Sequence, residues 1–276
     1  MLKTRTLTAL VIVPLGIAMV LLSPTQVLAA ITGVFVLIAM WEWTRLAGFR
    51  AHPVRSAVMA IVALACVALW IVREEPAAWW VIGAGIAWWL VASAWLGNFS
   101  FGAAPTRENA AIKLVVGLFA TLPAWLALAK LHADSVQGPA WALFALALVW
   151  VADIAAYLAG SRYGKKKLCP NISPNKTTVG VYGAMVGAGL LAIICGWLFG
   201  LRGMHLAALI ALSLVTVAAS IVGDLFESLI KRQAGVKDSG TLFPGHGGMF
   251  DRLDSVFAAL PVFTAGKALL DFAFGP

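Results

Sequence analysis

Charged residues are scarce in this chain of 276 residues. They make up 12% of it, where soluble domains average roughly 25%. A separate soluble domain is therefore excluded, and so is a nucleic-acid-binding module, because no aromatic or Arg-rich segment interrupts the apolar sequence, despite a net charge of +8. Cysteine is rare as well. Cys66, Cys169 and Cys195 are too few and too scattered for a disulfide framework or a zinc site.

Long apolar runs account for a hydrophobic content of 62%. A helix needs about 20 apolar residues to cross a bilayer. Nine stretches meet this requirement, near 7–23, 25–44, 54–72, 77–96, 112–130, 140–160, 181–200, 205–230 and 253–272. The sequence thus predicts an all-α polytopic membrane protein with about nine transmembrane helices. The first stretch resembles a secretory signal, but we expect it to be retained because apolar sequence resumes directly after it.

The loops between these stretches differ in positive charge. With a cytoplasmic N-terminus, sixteen Lys and Arg residues lie on the cytoplasmic side and four on or toward the other side. Cytoplasmic loops are enriched in these residues, so the asymmetry predicts this orientation. It also places the two most polar loops, 161–180 and 231–252, on the same side, where they could attract anionic head groups and polyphosphates.

The ionisable residues are concentrated in the C-terminal part of the chain. We predict an N-terminal region, 1–111, with about four spans, and a C-terminal catalytic region, 112–276, with about five. In the N-terminal region the deepest charge is Glu42, which we interpret as a structural partner of Arg45 at position i+3. The tryptophans, among them Trp43 and Trp89, are interpreted as interfacial anchors and lipid-facing bulk.

The eighth span carries a polar stripe near its end. Asp224, Glu227, Ser228 and Lys231 have the i, i+3, i+4, i+7 spacing of one helix face. Ionisable groups at membrane depth are costly and by default indicate a functional site or an ion pair. The plainer alternative is an internal Glu227–Lys231 pair with Asp224 solvated at the helix end.

A glycine-rich turn follows this span, and the next helix begins with Asp251, Asp254 and Ser255. The two helices form a hairpin that could bring Asp224 and Asp251 together. Carboxylates without neighbouring Cys or paired His ligands suit Mg²⁺, which takes one or two carboxylates, waters and substrate phosphates. The sequence therefore predicts metal binding by these two aspartates, with either one Mg²⁺ or two divalent or mixed cations.

The turn itself supplies phosphate-binding groups. Glycine backbone such as that of Gly247 and Gly248 can present N–H groups to phosphate oxygens. His246 could donate a hydrogen bond to a phosphate group, or it could be only structural. Four basic side chains could neutralise phosphate charge: Lys231, Arg232, Lys237 and Arg252.

A second polar stretch runs from Asp153 to Gly180. Asp153 and Tyr157 form an i, i+4 pair on the sixth span. The loop after them is rich in lysine and contains Ser173, Lys176 and Thr177. By its composition alone this loop could equally be a solvated segment facing anionic lipids or part of a site.

Together these motifs resemble those of the phosphatidate cytidylyltransferases. The first stretch reads G-D-L-x-E, S-x-x-K-R, K-D-x-G, P-G-H-G-G and D-R-x-D-S, and the second reads D-x-x-A-Y, G-x-x-x-G-K and S-P-x-K-T. The resemblance covers the C-terminal half strongly. Two residues depart from the family pattern: Asn175 replaces a basic residue, and Val179, which can neither coordinate a metal nor accept a proton, stands where the family usually has Glu.

The resemblance implies the reaction CTP + phosphatidate → CDP-diacylglycerol + pyrophosphate. It implies an enzyme of the bacterial inner membrane whose partners are CTP, phosphatidate and membrane lipids, with a homodimer left open. The catalytic residues implied are Asp224, Asp251, Lys231, Arg232, His246 and Arg252. The substrate-binding residues implied are Asp153, Tyr157, Ser173, Lys176, Thr177, Glu227, Ser228, Lys237, Asp238, Gly247, Gly248 and Asp254.

Two alternatives remain open on the sequence alone. A CTP-dependent polyprenol kinase would need a base to activate a lipid hydroxyl. A transporter could use Asp224, Glu227 and Asp251 to couple ions. Ion-coupling sites of transporters typically lie at the membrane midplane, however, whereas these three charges cluster at the cytoplasmic ends of the helices.

Overall fold

The computed structural model describes residues 14–242 and 247–275. Within these ranges the chain forms nine helices and one pair of short strands. In chain order they are α1 (residues 14–22), α2 (Thr25–Leu46), α3 (His52–Ile71), α4 (Ala77–Trp95), α5 (Arg107–Ala133), α6 (Gly138–Tyr163), β1 (Lys167–Cys169), β2 (Ser173–Thr177), α7 (Thr178–Leu198), α8 (Gly203–Gln233) and α9 (Phe250–Phe274).

Eight of these helices, α2 to α9, are long and apolar enough to cross a membrane. The predicted all-α polytopic fold is confirmed, and the chain is an integral membrane protein. The predicted first span, near 7–23, begins outside the described residues, and only its helical part at 14–22 is seen. The sequence did not predict the antiparallel hairpin of β1 and β2, which pairs Lys167 with Thr177 inside the loop predicted at 161–180.

Close helix packing depends on small residues. In α7, a Cβ added at Gly183 or Gly187 would overlap Ala159 or Ala155 of α6. At Gly223 of α8, an added Cβ would collide with the backbone of Asp254 in α9. Small residues let backbones approach closely in membranes, where van der Waals contacts stabilise helix pairs. These glycines therefore hold α6 against α7 and α8 against α9.

Helix α5 lies between the two predicted regions of the chain and packs on α2, α4, α6 and α9. Beside it, aromatic rings from four helices form a buried cluster around Phe226 of α8, which contacts Trp43, Trp89 and Trp95. Trp43 also stacks on Phe250, at the start of α9. The interfacial interpretation is therefore wrong for Trp43 and Trp89, which are buried, because their rings fill the space between helices.

The connecting segments gather at two ends of the bundle. We call the polar end the one formed by residues 47–51, 96–106, 164–177, 234–242 and 247–249. Hydrogen bonds join these segments: Gln233 donates to the carbonyls of Phe99 and Phe101, and Arg232 to that of Ile172. The opposite end comprises residues 72–76, 134–137 and 199–202. The polar end therefore brings the loops predicted at 161–180 and 231–252 together.

Candidate functional site

Lys231, in the last turns of α8, contacts two carboxylates at the polar end. Its Nζ lies 2.7 Å from Oε2 of Glu227 and 2.6 Å from Oδ1 of Asp251. The i, i+4 pair considered from the sequence does form, but Lys231 also bridges α8 to α9. Glu227 is only 1% exposed, and its Oε1 has no hydrogen-bond partner among the described residues. A buried oxygen without a donor is costly, which makes this carboxyl a candidate for function.

The second oxygen of Asp251 organises the glycine-rich turn. Oδ2 accepts hydrogen bonds from the backbone N–H of Gly248 at 2.7 Å and of Ser239 at 2.9 Å, and lies 3.0 Å from Oγ of Ser239. Asp251 thus holds the two described sides of the turn together. Because three donors surround Oδ2, only Oδ1, which contacts Lys231, could turn toward a ligand.

Asp224 lies one helical turn before Glu227 and forms an ion pair with Lys176 of β2. Its acidic neighbour on α9 is Asp254, which is buried and interacts electrostatically with both Asp224 and Glu227. Since α8 and α9 run antiparallel and cross at Gly223, Asp254 lies beside Asp224, while Asp251 lies beside Lys231. In this structure Asp224 and Asp251 are therefore contacted by different lysines.

A cavity of about 640 Å³ opens beside Asp224, between α6, α7, α8 and the β-hairpin. Asp153, Tyr157, Lys176 and Thr177 line it, together with small and apolar residues of the three helices such as Ala152, Ala184 and Ile221. Asp153 interacts electrostatically with Asp224, Lys176 and Arg252. The two polar stretches predicted from the sequence, one around Asp224 and one from Asp153 to Gly180, thus line the same cavity. This cavity has both charged and apolar walls.

The other predicted site residues are distributed around this centre. Thr177 is buried and caps α7, because its Oγ1 accepts a hydrogen bond from the N–H of Gly180. The side chain of Arg232 is exposed and donates to the carbonyls of Ile172 and Val236. Gly247 has a positive φ and lies against Asp251, so an added Cβ would overlap Oδ2 of that residue. Four further residues lie at or near the polar end, with no side-chain hydrogen bond to another described residue: Ser173, Ser228, Lys237 and Asp238. His246 lies outside the described residues.

Three residues at this site were missed or misread in the sequence: Glu42, Arg45 and Ser239. Glu42 does not pair with Arg45 in the described structure. It accepts hydrogen bonds from the backbone N–H groups of Met249 and Phe250, while Arg45 donates to the carbonyl of Ser239. The structural interpretation therefore named the wrong partner, because tertiary contacts bring α9 to this carboxylate. The available signal was an acidic residue at a span end, where burial is costly.

The carboxylates at this site are compatible with Mg²⁺ binding. Among residues 14–242 and 247–275, no group of three or more His, Cys, Asp or Glu side chains has a geometry that could enclose a metal. Mg²⁺ does not need such a cage, because it is usually held by one or two carboxylates, waters and substrate phosphates. Asp224 borders the cavity, and the cationic Nζ of Lys176 lies against its carboxylate. A carboxylate that already attracts a cation at a cavity wall fits that requirement.

Comparisons with known proteins give a consistent result. The family model described as "Cytidylyltransferase family" matches residues 3–269. A phosphatidate cytidylyltransferase of Pseudomonas aeruginosa is 40% identical over 274 residues, which are 96% of this chain and 96% of that protein. One of Haemophilus influenzae is 32% identical and covers 96% of this chain and 98% of that protein. One of Brucella suis is 44% identical over 52% of each chain.

Proposed function

The chain belongs to the cytidylyltransferase family, and from this premise we propose that it transfers the cytidylyl group of CTP to phosphatidate. The products are CDP-diacylglycerol and pyrophosphate. The relatives that match nearly the whole chain carry the name of this activity. The resemblance found in the sequence motifs is thus extended over both halves of the chain.

One structural observation carries the proposal: the cavity beside Asp224 combines charged and apolar walls. Asp153, Lys176 and Asp224 provide charge, while Ala152, Ala184 and Ile221 provide apolar surface from helices that cross the membrane. A phospholipid has the same division, with an anionic phosphate and apolar chains. The cavity therefore suits a lipid phosphate that enters from the bilayer and meets a nucleotide at the polar end.

We assign the metal role first to Asp224, with Asp153 and Asp254 as acidic neighbours and Asp251 able to contribute through Oδ1. Bound Mg²⁺, as one ion or as part of a pair of cations, would polarise phosphate oxygens and neutralise charge that develops during transfer. Lys176 and Lys231 contact carboxylates at this site. With a nucleotide bound, their ammonium groups would also stabilise its phosphates.

In the proposed reaction, a phosphate oxygen of phosphatidate attacks the α-phosphorus of CTP. The bond from that phosphorus to the bridging oxygen of the β-phosphate breaks, and pyrophosphate leaves with the bonding electrons. Because the attacking oxygen is already anionic, no strong general base is required. The residues therefore act by positioning the two phosphates and by electrostatic stabilisation. His246 and Arg252 remain proposed contacts of the leaving pyrophosphate.

The polar end faces the cytoplasm of a bacterial inner membrane in this proposal. CTP is soluble in the cytoplasm, and the positive charge of the loops at this end supports the same orientation.

Labelled CTP tests the proposal directly. With purified protein, Mg²⁺ and phosphatidate, label from the α-position of CTP should enter the lipid phase, and label from the γ-position should remain in water as pyrophosphate. The transfer should require both Mg²⁺ and phosphatidate.

The control replaces phosphatidate with a polyprenol, the acceptor of the alternative kinase. Transfer of γ-label to that alcohol, with CDP left in the water phase, would show that the kinase interpretation is correct. If α-label also fails to enter the lipid phase when phosphatidate is present, the proposal is overturned.

A further inference from the structure

We propose that Glu42 and Arg45 of α2 are positioning residues that hold Asp251 and the described backbone on either side of the glycine-rich turn, residues 239–242 and 247–249, in the arrangement that binds the nucleotide. This inference rests on the proposed function, because it names Asp251 and this backbone as the part of the site that meets CTP. Both residues lie in the N-terminal part of the chain, where the sequence predicts no site residue. Contacts between α2 and the two described sides of the turn support this role.

The first contacts join Glu42 to the beginning of α9. Its Oε1 accepts from the N–H of Met249 at 3.0 Å, and its Oε2 accepts from the N–H of Phe250 at 2.8 Å. The first N–H groups of a helix lack partners within the helix, and a negative charge there is favourable. Glu42, which is buried, therefore caps α9 from another helix. It fixes the position of the first turn of α9 and so of Asp251, which directly follows Phe250.

The second set of contacts joins α2 to Ser239, on the N-terminal side of the turn. Oγ of Ser239 lies 2.9 Å from Oε2 of Glu42 and 3.0 Å from Oδ2 of Asp251. A hydroxyl has one proton, so Ser239 shares it between the two carboxylates. Arg45 donates to the carbonyl of the same residue at 2.7 Å. Ser239 thus couples the charge of Glu42 to that of Asp251.

The third observation is the absence of space around the carboxylate. A Cβ added at Gly240 or at Gly248 would overlap the oxygens of Glu42. The backbone on both sides of the turn therefore lies directly against Glu42. Since Asp251 and Lys231 are joined by an ion pair, a displacement of the turn would reach Lys231 as well.

Glu42→Gln is the sharpest test, because it keeps the size of the side chain and replaces one accepting oxygen with a donor. Whichever way the amide is oriented, its NH₂ group faces a backbone N–H of Met249 or Phe250. We expect the KM for CTP to rise about tenfold, because one of the two hydrogen bonds from the start of α9 to Glu42 is lost. The KM for phosphatidate should stay within about twofold, because the cavity beside Asp224 is not contacted by Glu42.

Thr44→Val is the matched control. Thr44 is a buried polar residue of the same helix that interacts with Arg55 of α3 and not with the turn. Its loss should leave both KM values unchanged even if it lowers stability. An equal rise of both KM values in Glu42→Gln and in Thr44→Val would assign Glu42 a general packing role and overturn the inference.

A spin label at Thr241→Cys reports the turn without any substrate. Its mobility should increase in Glu42→Gln and, to a smaller extent, in Arg45→Ala, and should not change in Thr44→Val. Arg45 is exposed, so its replacement provides a folded variant if Glu42→Gln does not fold. In that case Arg45→Ala, with a rise of about threefold in the KM for CTP, decides the question.

The two proposals fail in different ways. If the wild-type protein transfers no α-label to phosphatidate, the proposed function is wrong, whatever the spin label shows. If the wild-type protein is active but both variants retain the wild-type KM for CTP and the wild-type label mobility, the positioning role is wrong and the function stands.

Discussion

The two ends of the bundle both contain a lysine paired with a carboxylate four residues away, but they differ in the groups around that pair. At the opposite end, Lys267 contacts Asp271 at 2.6 Å and Asp134 at 3.9 Å, and both acids are partly exposed to solvent. At the polar end, Lys231 contacts Glu227 and Asp251, whose side chains are only 1% and 6% exposed. The two lysine side chains are about equally buried, so the pairs differ in whether water reaches their carboxylates.

The number of acids differs as well. Around Lys231 and Lys176 lie five carboxyl groups: Asp153, Asp224, Glu227, Asp251 and Asp254. A helix-end ion pair is therefore a poor indicator of function by itself. An excess of carboxyl groups beside a cavity, with a buried oxygen that has no donor in the described structure, is a better one.

Labelling from the two sides of the membrane would give the largest contrast, because access is all or none. In a cysteine-free background, Lys165→Cys and Val236→Cys at the polar end should react only from the cytoplasmic side in intact cells. Ser135→Cys at the opposite end is the matched control and should react only from outside. Labelling of Lys165→Cys and Val236→Cys from different sides would show that the two polar loops do not share a site, and would contradict the comparison of the two ends.

Asp224→Asn should reduce turnover by at least about two orders of magnitude, the scale of losing one preorganised electrostatic group. The protein should remain folded, because Asp224 is partly exposed and its partner Lys176 can be hydrated. The corresponding change at the opposite end, Asp271→Asn, should leave turnover within about twofold, because Asp271 lies far from the reacting phosphates. Steady-state rates at saturating CTP compare the two variants. Near-normal turnover by Asp224→Asn would remove this residue from the metal role.

Asp251→Asn should reduce turnover to a similar extent and should also lower the thermal unfolding temperature. The second effect is expected because Oδ2 accepts hydrogen bonds from both sides of the turn, and an amide nitrogen at that position would face their N–H groups. Thermal unfolding of Asp224→Asn, measured in the same detergent, is the control. An unchanged unfolding temperature in Asp251→Asn would contradict the organising role of this carboxylate.

Lysine replacement compares the stability of the ends. Lys231→Met leaves two buried carboxylates without their cation and should lower the free energy of unfolding by about 3–5 kcal/mol. Lys267→Met should lower it by only about 1 kcal/mol, because water can reach the released acids. Unfolding in mixed micelles measures both. Equal losses would show that burial does not distinguish the two pairs.

Much of the site could be predicted from local sequence. The stripe from Asp224 to Lys231 follows from helical spacing. The Glu227–Lys231 pair of the plainer alternative is present, but Asp224 pairs with Lys176 and is not simply solvated as that alternative had it. Which α9 residue lies beside Asp224 could not be predicted, because the length of a turn does not determine the register of two helices. That register depends on Gly223, where the backbones meet. The roles of Asp224 and Asp251 in metal binding stay predictions.

The sequence by itself determined the membrane-spanning helices, the family and the two polar stretches, because apolar length, charge and motif spacing are local properties of a chain. Tertiary structure alone decided the partners of each charge. Glu42 shows the difference most clearly: its neighbour in sequence is Arg45, but the N–H groups that it accepts lie 207 and 208 residues away. Burial between packed helices makes any unsatisfied polar group costly, so the fold determines which partner is close enough to satisfy it.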